Sequence, residues 1–138
     1  MLTWVNNTGY IMEKILVVDD QKNVRASIRI GLGRVGYQVD VASNAEHALL
    51  KLKEKPFDVV LTDVRMPDTN GYVLANLIRQ LYPNVKIILM SAYDFCEYDQ
   101  KFKLEQAWPK LAKPFGMADL LHLLQQGTLP FQQNELRN

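Results

Sequence analysis

Cysteine is nearly missing from this chain of 138 residues: Cys96 stands alone. No intramolecular disulfide can therefore form, and no cysteine cluster can hold zinc. Long apolar stretches are also lacking, since no apolar run exceeds five residues, far short of a membrane span. Neither sign of charge dominates: sixteen basic residues against fifteen acidic leave a formal net charge of +1. That balance supplies no basic field for nucleic acid and no excess for an anionic membrane. The first dozen residues have no basic start and no continuous apolar segment, so they do not read as a signal peptide. The chain reads as cytoplasmic, without direct nucleic-acid or membrane binding.

What is present is an ordinary core composition, 48% hydrophobic and 22% charged, in a chain of one-domain length. Ile15-Leu16-Val17-Val18 is β-branched and too short for a helix, so it reads as a buried strand. Val24, Ile28, Leu32 and Val35 then make one helical stripe, with Gly36 where a C-terminal cap is expected. Tyr37 to Ala42 alternates like a half-covered edge strand. Ser43 with Glu46 forms a capping box ahead of Ala45, Ala48, Leu49 and Leu52. Phe57 to Leu61 is a third strand that ends at Asp63, followed by a helix carrying Val73, Leu74, Leu77, Ile78 and Leu81. Val85 to Met90 is a fourth strand ending at Ser91, and a helix with a broken apolar stripe spans roughly Phe95 to Gln106. Leu111-Ala112 is a short fifth strand ending at Lys113-Pro114, and the last helix carries Met117, Leu120, Leu121 and Leu124.

Strands alternating with helices imply an α/β fold with a doubly wound, five-stranded parallel sheet. The half-polar second strand suits an edge, which gives the strand order 2-1-3-4-5. In such a sheet ligands bind beyond the carboxyl ends of the strands. Asp19, Asp20, Asp63, Ser91 and Lys113 all fall there, on neighbouring strands. Three clustered carboxylates repel one another, and a hard divalent cation is the simplest remedy; Mg²⁺ fits best, since it favours few carboxylates, waters and a phosphate oxygen. An ammonium and a hydroxyl beside them complete a site for a phosphoryl group.

With those residues in view, the chain resembles a response-regulator receiver domain, the phosphoacceptor module of two-component signalling. The matching pieces are ILVVDD at Ile15 to Asp20, LTDVRMPDTNG at Leu61 to Gly71, SA at Ser91-Ala92 and KPF at Lys113 to Phe115. The resemblance implies a flavodoxin-like (βα)5 fold. It implies that Asp63 accepts a phosphoryl group from a histidine of a sensor kinase or a histidine phosphotransfer protein. Asp20, Asp63 and the backbone carbonyl of Arg65 would hold Mg²⁺, with Asp19 contributing directly or through water. Lys113 and Ser91 would bind the phosphoryl oxygens, helped by the Ala92 N–H, and Lys113-Pro114 would be cis. Phosphorylation adds about −1.5 to −2 charge. That charge would draw Ser91 and Lys113 inward and alter a face around the fourth helix, fifth strand and fifth helix. A downstream protein binding that face would read a coupling of about 1–3 kcal/mol.

The chain departs from the family where an aromatic is usual three positions before the lysine: Lys110 stands there. It reads either as an exposed edge residue or as the loss of the aromatic half of the switch. Pro109 shortens the fifth strand. Trp108, Tyr93, Phe95, Tyr98 and Phe102 read as core rather than as a partner surface, and His47 and His122 as surface residues. Residues 1–11 read as a mobile N-terminal extension, 12–126 as the receiver domain and 127–138 as a short C-terminal tail. The resulting expectation is a stand-alone receiver, not an enzyme, monomeric or weakly dimeric, that signals by protein contact. A phosphorelay intermediate, a phosphate sink or a fragment of a longer regulator stand as alternatives. An aspartate-nucleophile phosphatase is disfavoured because no second Asp lies two positions after Asp19 or Asp20. A flavin site is disfavoured because Asp20-Gln21-Lys22-Asn23 is the wrong chemistry for a phosphate loop.

Overall fold

The structure, a computed structural model, describes residues 4–5, 11–67, 69–92 and 108–128. Strands β1 (Trp4–Val5) and β2 (Ile11–Met12) form a short antiparallel ladder, with Trp4 opposite Met12. The main sheet is built from β3 (Lys14–Val18), β4 (Gln38–Ala42), β5 (Val59–Asp63), β6 (Lys86–Ser91) and β7 (Lys110–Ala112). All its pairs are parallel, in the order β4-β3-β5-β6-β7. Counted within this sheet alone, that is the expected 2-1-3-4-5. The helices are α1 (Lys22–Arg34), α2 (Ala45–Glu54), α3 (Gly71–Leu81) and α4 (Met117–Thr128). The helix expected from Phe95 to Gln106 lies outside the described residues, as do Tyr93, Phe95, Tyr98 and Phe102.

Alternate residues of each central strand face opposite layers, as the period of two demands. Leu16, Val18, Val60, Ile87 and Leu89 join Ala48 and Leu52 of α2 and Leu74, Ala75 and Ile78 of α3. Ile15, Val17, Val59, Leu61, Ile88 and Met90 join Ile28 and Leu32 of α1 and Leu120 and Leu124 of α4. Burial on both faces explains why these strands read as unbroken apolar runs. In β4 only Ala42 is fully buried, as befits an edge.

Helix ends show where local sequence governs and where it misleads. Gly36 has a φ of 102°, a left-handed conformation that costs glycine nothing. With it, Tyr37 N–H reaches back to Leu32 O and Gly36 N–H to Gly33 O, both at 3.2 Å, closing α1 with a Schellman motif. The start of α2 corrects the sequence reading. The cap is Asn44, whose side-chain oxygen accepts from His47 N–H at 2.7 Å, not Ser43 paired with Glu46. Ser and Asn are comparable caps, and the position directly before the first helical residue decides between them.

Candidate functional site

Register lines up the strand ends. Val18 pairs with Thr62, Asp63 with Met90 and Ser91 with Ala112, so Asp19, Asp63, Ser91 and Lys113 end neighbouring strands at one edge of the sheet. Asp19 N–H donates to Ala42 O, and Val64 N–H to Met90 O, which carries the pairing just past the strands. One carboxylate oxygen each of Asp19, Asp20 and Asp63 lie within 4.8 Å of one another. Asp19 is wholly buried and Asp63 nearly so, while Asp20 is exposed. The Ser91 side chain is buried beside them.

Lys113 is the cation of the site, and its pairing was not legible beforehand. Its Nζ donates to Asp19 Oδ2 at 2.7 Å and stands 3.5 Å from Asp63 Oδ2. The other oxygen of Asp19 accepts from Gln21 N–H at 2.9 Å, and Arg25 Nη1 donates to the Asp19 carbonyl at 2.8 Å. Both carboxylate oxygens of Asp19 are thus engaged by the protein itself. Lys113 N–H donates to Ser91 O at 2.8 Å, and the Lys113-Pro114 bond is cis.

Asp63 titrates far from an ordinary carboxyl. Burial raises its pKa from 3.8 to about 6; the nearby Lys113 ammonium opposes the rise, Asp19 adds to it, and the Arg65 N–H opposes it. Desolvation of a carboxylate outweighs one imperfectly placed cation here. Above pH 6 the group is ionised, with a charge that the site stabilises incompletely.

Gly71 is a site residue that sequence reasoning passed over. A Cβ added there would lie 2.4 Å from the Asp63 carbonyl oxygen and 2.9 Å from Val64 Cα. Gly71 N–H donates to Val64 O at 2.6 Å, so the first turn of α3 rests directly on the Asp63 backbone. A glycine opening a helix soon after a strand-end aspartate was the available signal. Lys110 is half-buried in β7, its ammonium turned back to Trp108 O at 3.3 Å, so it is less exposed than an ordinary edge residue. Trp108 is core, as expected, and His47 and His122 are exposed.

The three acidic side chains offer only hard oxygen donors, the chemistry that suits Mg²⁺. Asp20 and Asp63 have the freer carboxylates, whereas Asp19 is held by Lys113 and Gln21. No helix among the described residues is long and apolar enough to cross a membrane.

The family described as the response regulator receiver domain matches residues 15–125. Sporulation initiation phosphotransferase F of Bacillus subtilis is 32% identical over 123 residues, which cover 88% of this chain and 98% of that protein. The response regulator protein PilR of Pseudomonas aeruginosa is 32% identical over 112 residues, 81% of this chain but 25% of PilR. The chain spans about a quarter of the length of PilR and of FleR from the same organism. Among solved structures, the chemotaxis protein CheY4 of Vibrio cholerae aligns with a TM-score of 0.77 at 32% identity, covering 83% of this chain and 98% of that one. TrrA of Thermotoga maritima, solved in complex with Mg²⁺-BeF, aligns at 0.73 and 33% identity with the same coverage. With the sheet order, the strand-end acidic cluster and a match over most of its length, the chain belongs to the response regulator receiver domain family of two-component signalling.

Proposed function

We propose that Asp63 is the phosphoacceptor of this chain and that Lys113, Ser91 and the acidic pair serve the transfer. The carrying observation is a buried carboxylate at the sheet's carboxyl edge, with Lys113 Nζ at 3.5 Å and two further carboxylates beside it. In the step, an Asp63 carboxylate oxygen forms a bond to phosphorus as the P–N bond of a partner's phosphohistidine breaks. The bonding pair leaves with the imidazole nitrogen, which takes up a proton. A pKa of about 6 leaves Asp63 ionised and reactive at neutral pH.

Asp20, Asp63 and the Arg65 carbonyl are the groups that would hold Mg²⁺ directly, and Asp19 would act through water because its own oxygens are engaged. When bound, the ion neutralises charge on the phosphoryl oxygens. Lys113 exchanges its pairing with Asp19 for the incoming oxygens, and the Ser91 hydroxyl and Ala92 N–H bind them as they arrive. The protein then signals through contact with a downstream partner in the cytoplasm. Likeness over nearly the whole of a protein named a phosphotransferase favours a second reading, onward transfer to a histidine phosphotransfer protein.

Intact mass after incubation with acetyl phosphate, with and without Mg²⁺, tests the core of this reading. One added phosphoryl group that needs both Mg²⁺ and Asp63, and is lost in Asp63→Asn, is the expected result. An adduct that persists in Asp63→Asn would overturn it. Incubating the phosphorylated protein with a histidine phosphotransfer protein separates relay from terminal signalling.

A further inference from the structure

Trp108 stands immediately before Pro109 and β7 and is only 8% exposed. Its ring centroid lies 6.2 Å from that of Tyr72 at a tilt of 47°, a geometry in which aromatic pairs attract. Tyr72 is buried in the first turn of α3, next to the Gly71 that rests on the Asp63 backbone. On that side, Trp108 reaches the acceptor loop through a single ring.

The other side of Trp108 runs along the chain to Lys113. Leu89 N–H donates to Pro109 O at 2.9 Å, and Lys113 N–H donates to Ser91 O at 2.8 Å. These bonds clamp the three-residue β7 to β6 at both ends, with the indole seated just ahead of the first clamp. Lys113 Nζ then comes back to within 3.5 Å of Asp63. The path closes on itself: Asp63, Gly71 and Tyr72, Trp108, β7, Lys113 and Asp63 again.

We propose that Trp108 is a positioning residue for phosphoryl transfer, bracing the β7–Lys113 segment against the Asp63 loop through Tyr72. This rests on the reading of Asp63 as the acceptor. Transfer depends on placement of the cation against the reacting oxygens, and a misplacement of about 1 Å can cost on the order of a hundredfold. Of the groups assigned to Mg²⁺, Asp20 and the Arg65 carbonyl lie outside this path and Asp63 lies on it. The brace bears on the placement of Lys113 against Asp63, so its removal slows transfer far more than it weakens metal binding.

The test compares Trp108→Leu and Trp108→Phe with the unsubstituted protein. The rate of Asp63 phosphorylation by saturating acetyl phosphate is followed by intact mass, and the Mg²⁺ dissociation constant by calorimetry. Trp108→Leu is expected to slow phosphorylation about tenfold while Mg²⁺ affinity holds within about twofold, and Trp108→Phe to restore most of the rate. Leu52→Ala, in the same hydrophobic layer but on α2, is the control for lost stability and should keep the rate. An unchanged rate in Trp108→Leu, an equal loss in Leu52→Ala, or a parallel loss of Mg²⁺ affinity overturns the proposal. Should Trp108→Leu fail to fold, Tyr72→Leu removes the other half of the ring contact and is expected to slow phosphorylation in the same way while Mg²⁺ affinity holds; an unchanged rate there overturns the proposal. No adduct on Asp63 in the unsubstituted protein sinks this proposal together with the acceptor reading, whereas a normal adduct there with an unchanged rate in the ring variants sinks this one alone.

Discussion

Asp63 sits where its own ionisation is opposed, and that opposition can be read as stability. Its folded pKa is raised from 3.8 to about 6, first by burial. A raised carboxyl contributes stability that is complete below pH 3.8 and is lost as pH rises through 6. At about 1.4 kcal/mol per pH unit, the metal-free protein loses roughly 3 kcal/mol from this group by pH 7.5. Asp63→Asn carries no such charge, so it should be more stable than the unsubstituted protein at pH 7.5 and equal to it near pH 4. Urea unfolding of both proteins in a chelator, from pH 4 to 7.5, measures the difference. A gap that does not change with pH would show that burial does not govern this carboxyl. Asp40 shows the opposite balance. Its burial is outweighed by Lys55 and Lys51, at 2.8 and 3.1 Å, and its pKa falls to about 2. Its contribution is therefore present above pH 4 and is lost only as pH falls through about 2.

At the scale of elements, α3 is the part most tightly fitted to the site. Asn70 caps it by accepting from Val73 N–H at 2.9 Å, and Gly71 lies against the Asp63 backbone. Asn70→Ala should cost about 1 kcal/mol and leave phosphorylation nearly unchanged, because the cap bond is exposed and closes only the first turn of its own helix. Gly71→Ala is different in kind: its Cβ would meet the Asp63 carbonyl at 2.4 Å, and backbone cannot rotate out of the way. It should cost about 1–3 kcal/mol and also slow phosphorylation, since relief requires moving the Asp63–Val64 backbone or the helix. Chemical unfolding and acetyl-phosphate kinetics on both variants separate the two effects; an equal slowing in Asn70→Ala would tie the rate to helix stability alone. Most elements were legible from sequence because each central strand is an apolar run closed by a polar residue. Strand limits shifted by one or two residues, and the α2 cap moved from Ser43 to Asn44, because adjacent cap formers differ little in intrinsic preference. The strand-end residues were legible for the same periodic reason. The pairing of Lys113 with Asp19, the seat of Gly71 on Asp63 and the contact of Trp108 with Tyr72 were not. Those choices are made by packing between segments remote in sequence, which local pattern does not encode.

For the whole molecule, a divalent cation bound at the acidic edge of the sheet would couple ion binding to folding. Asp19, Asp20 and Asp63 come within 4.8 Å only in the folded chain, so a divalent cation held there binds the native state and not the unfolded one. At tenfold excess over its dissociation constant such an ion adds about 1.4 kcal/mol of stability. For a chain of this size that corresponds to a rise in Tm of roughly 3–6 °C. Protons compete with the metal for Asp63, whose pKa is about 6, so the gain should be full at pH 8 and much reduced at pH 5. Asp20 is the exposed member of the cluster and pairs with neither Lys113 nor Gln21 in the way Asp19 does. Asp20→Asn should therefore abolish most of the Mg²⁺-dependent rise while changing the Tm in chelator by little. Scanning calorimetry of both proteins in Mg²⁺ and in chelator, at pH 5 and pH 8, provides all of these comparisons. A rise that survives intact in Asp20→Asn would remove Asp20 from the metal site. A rise equally large at pH 5 would mean that the ion is held without Asp63, and metal binding would then be uncoupled from the acceptor it is expected to serve.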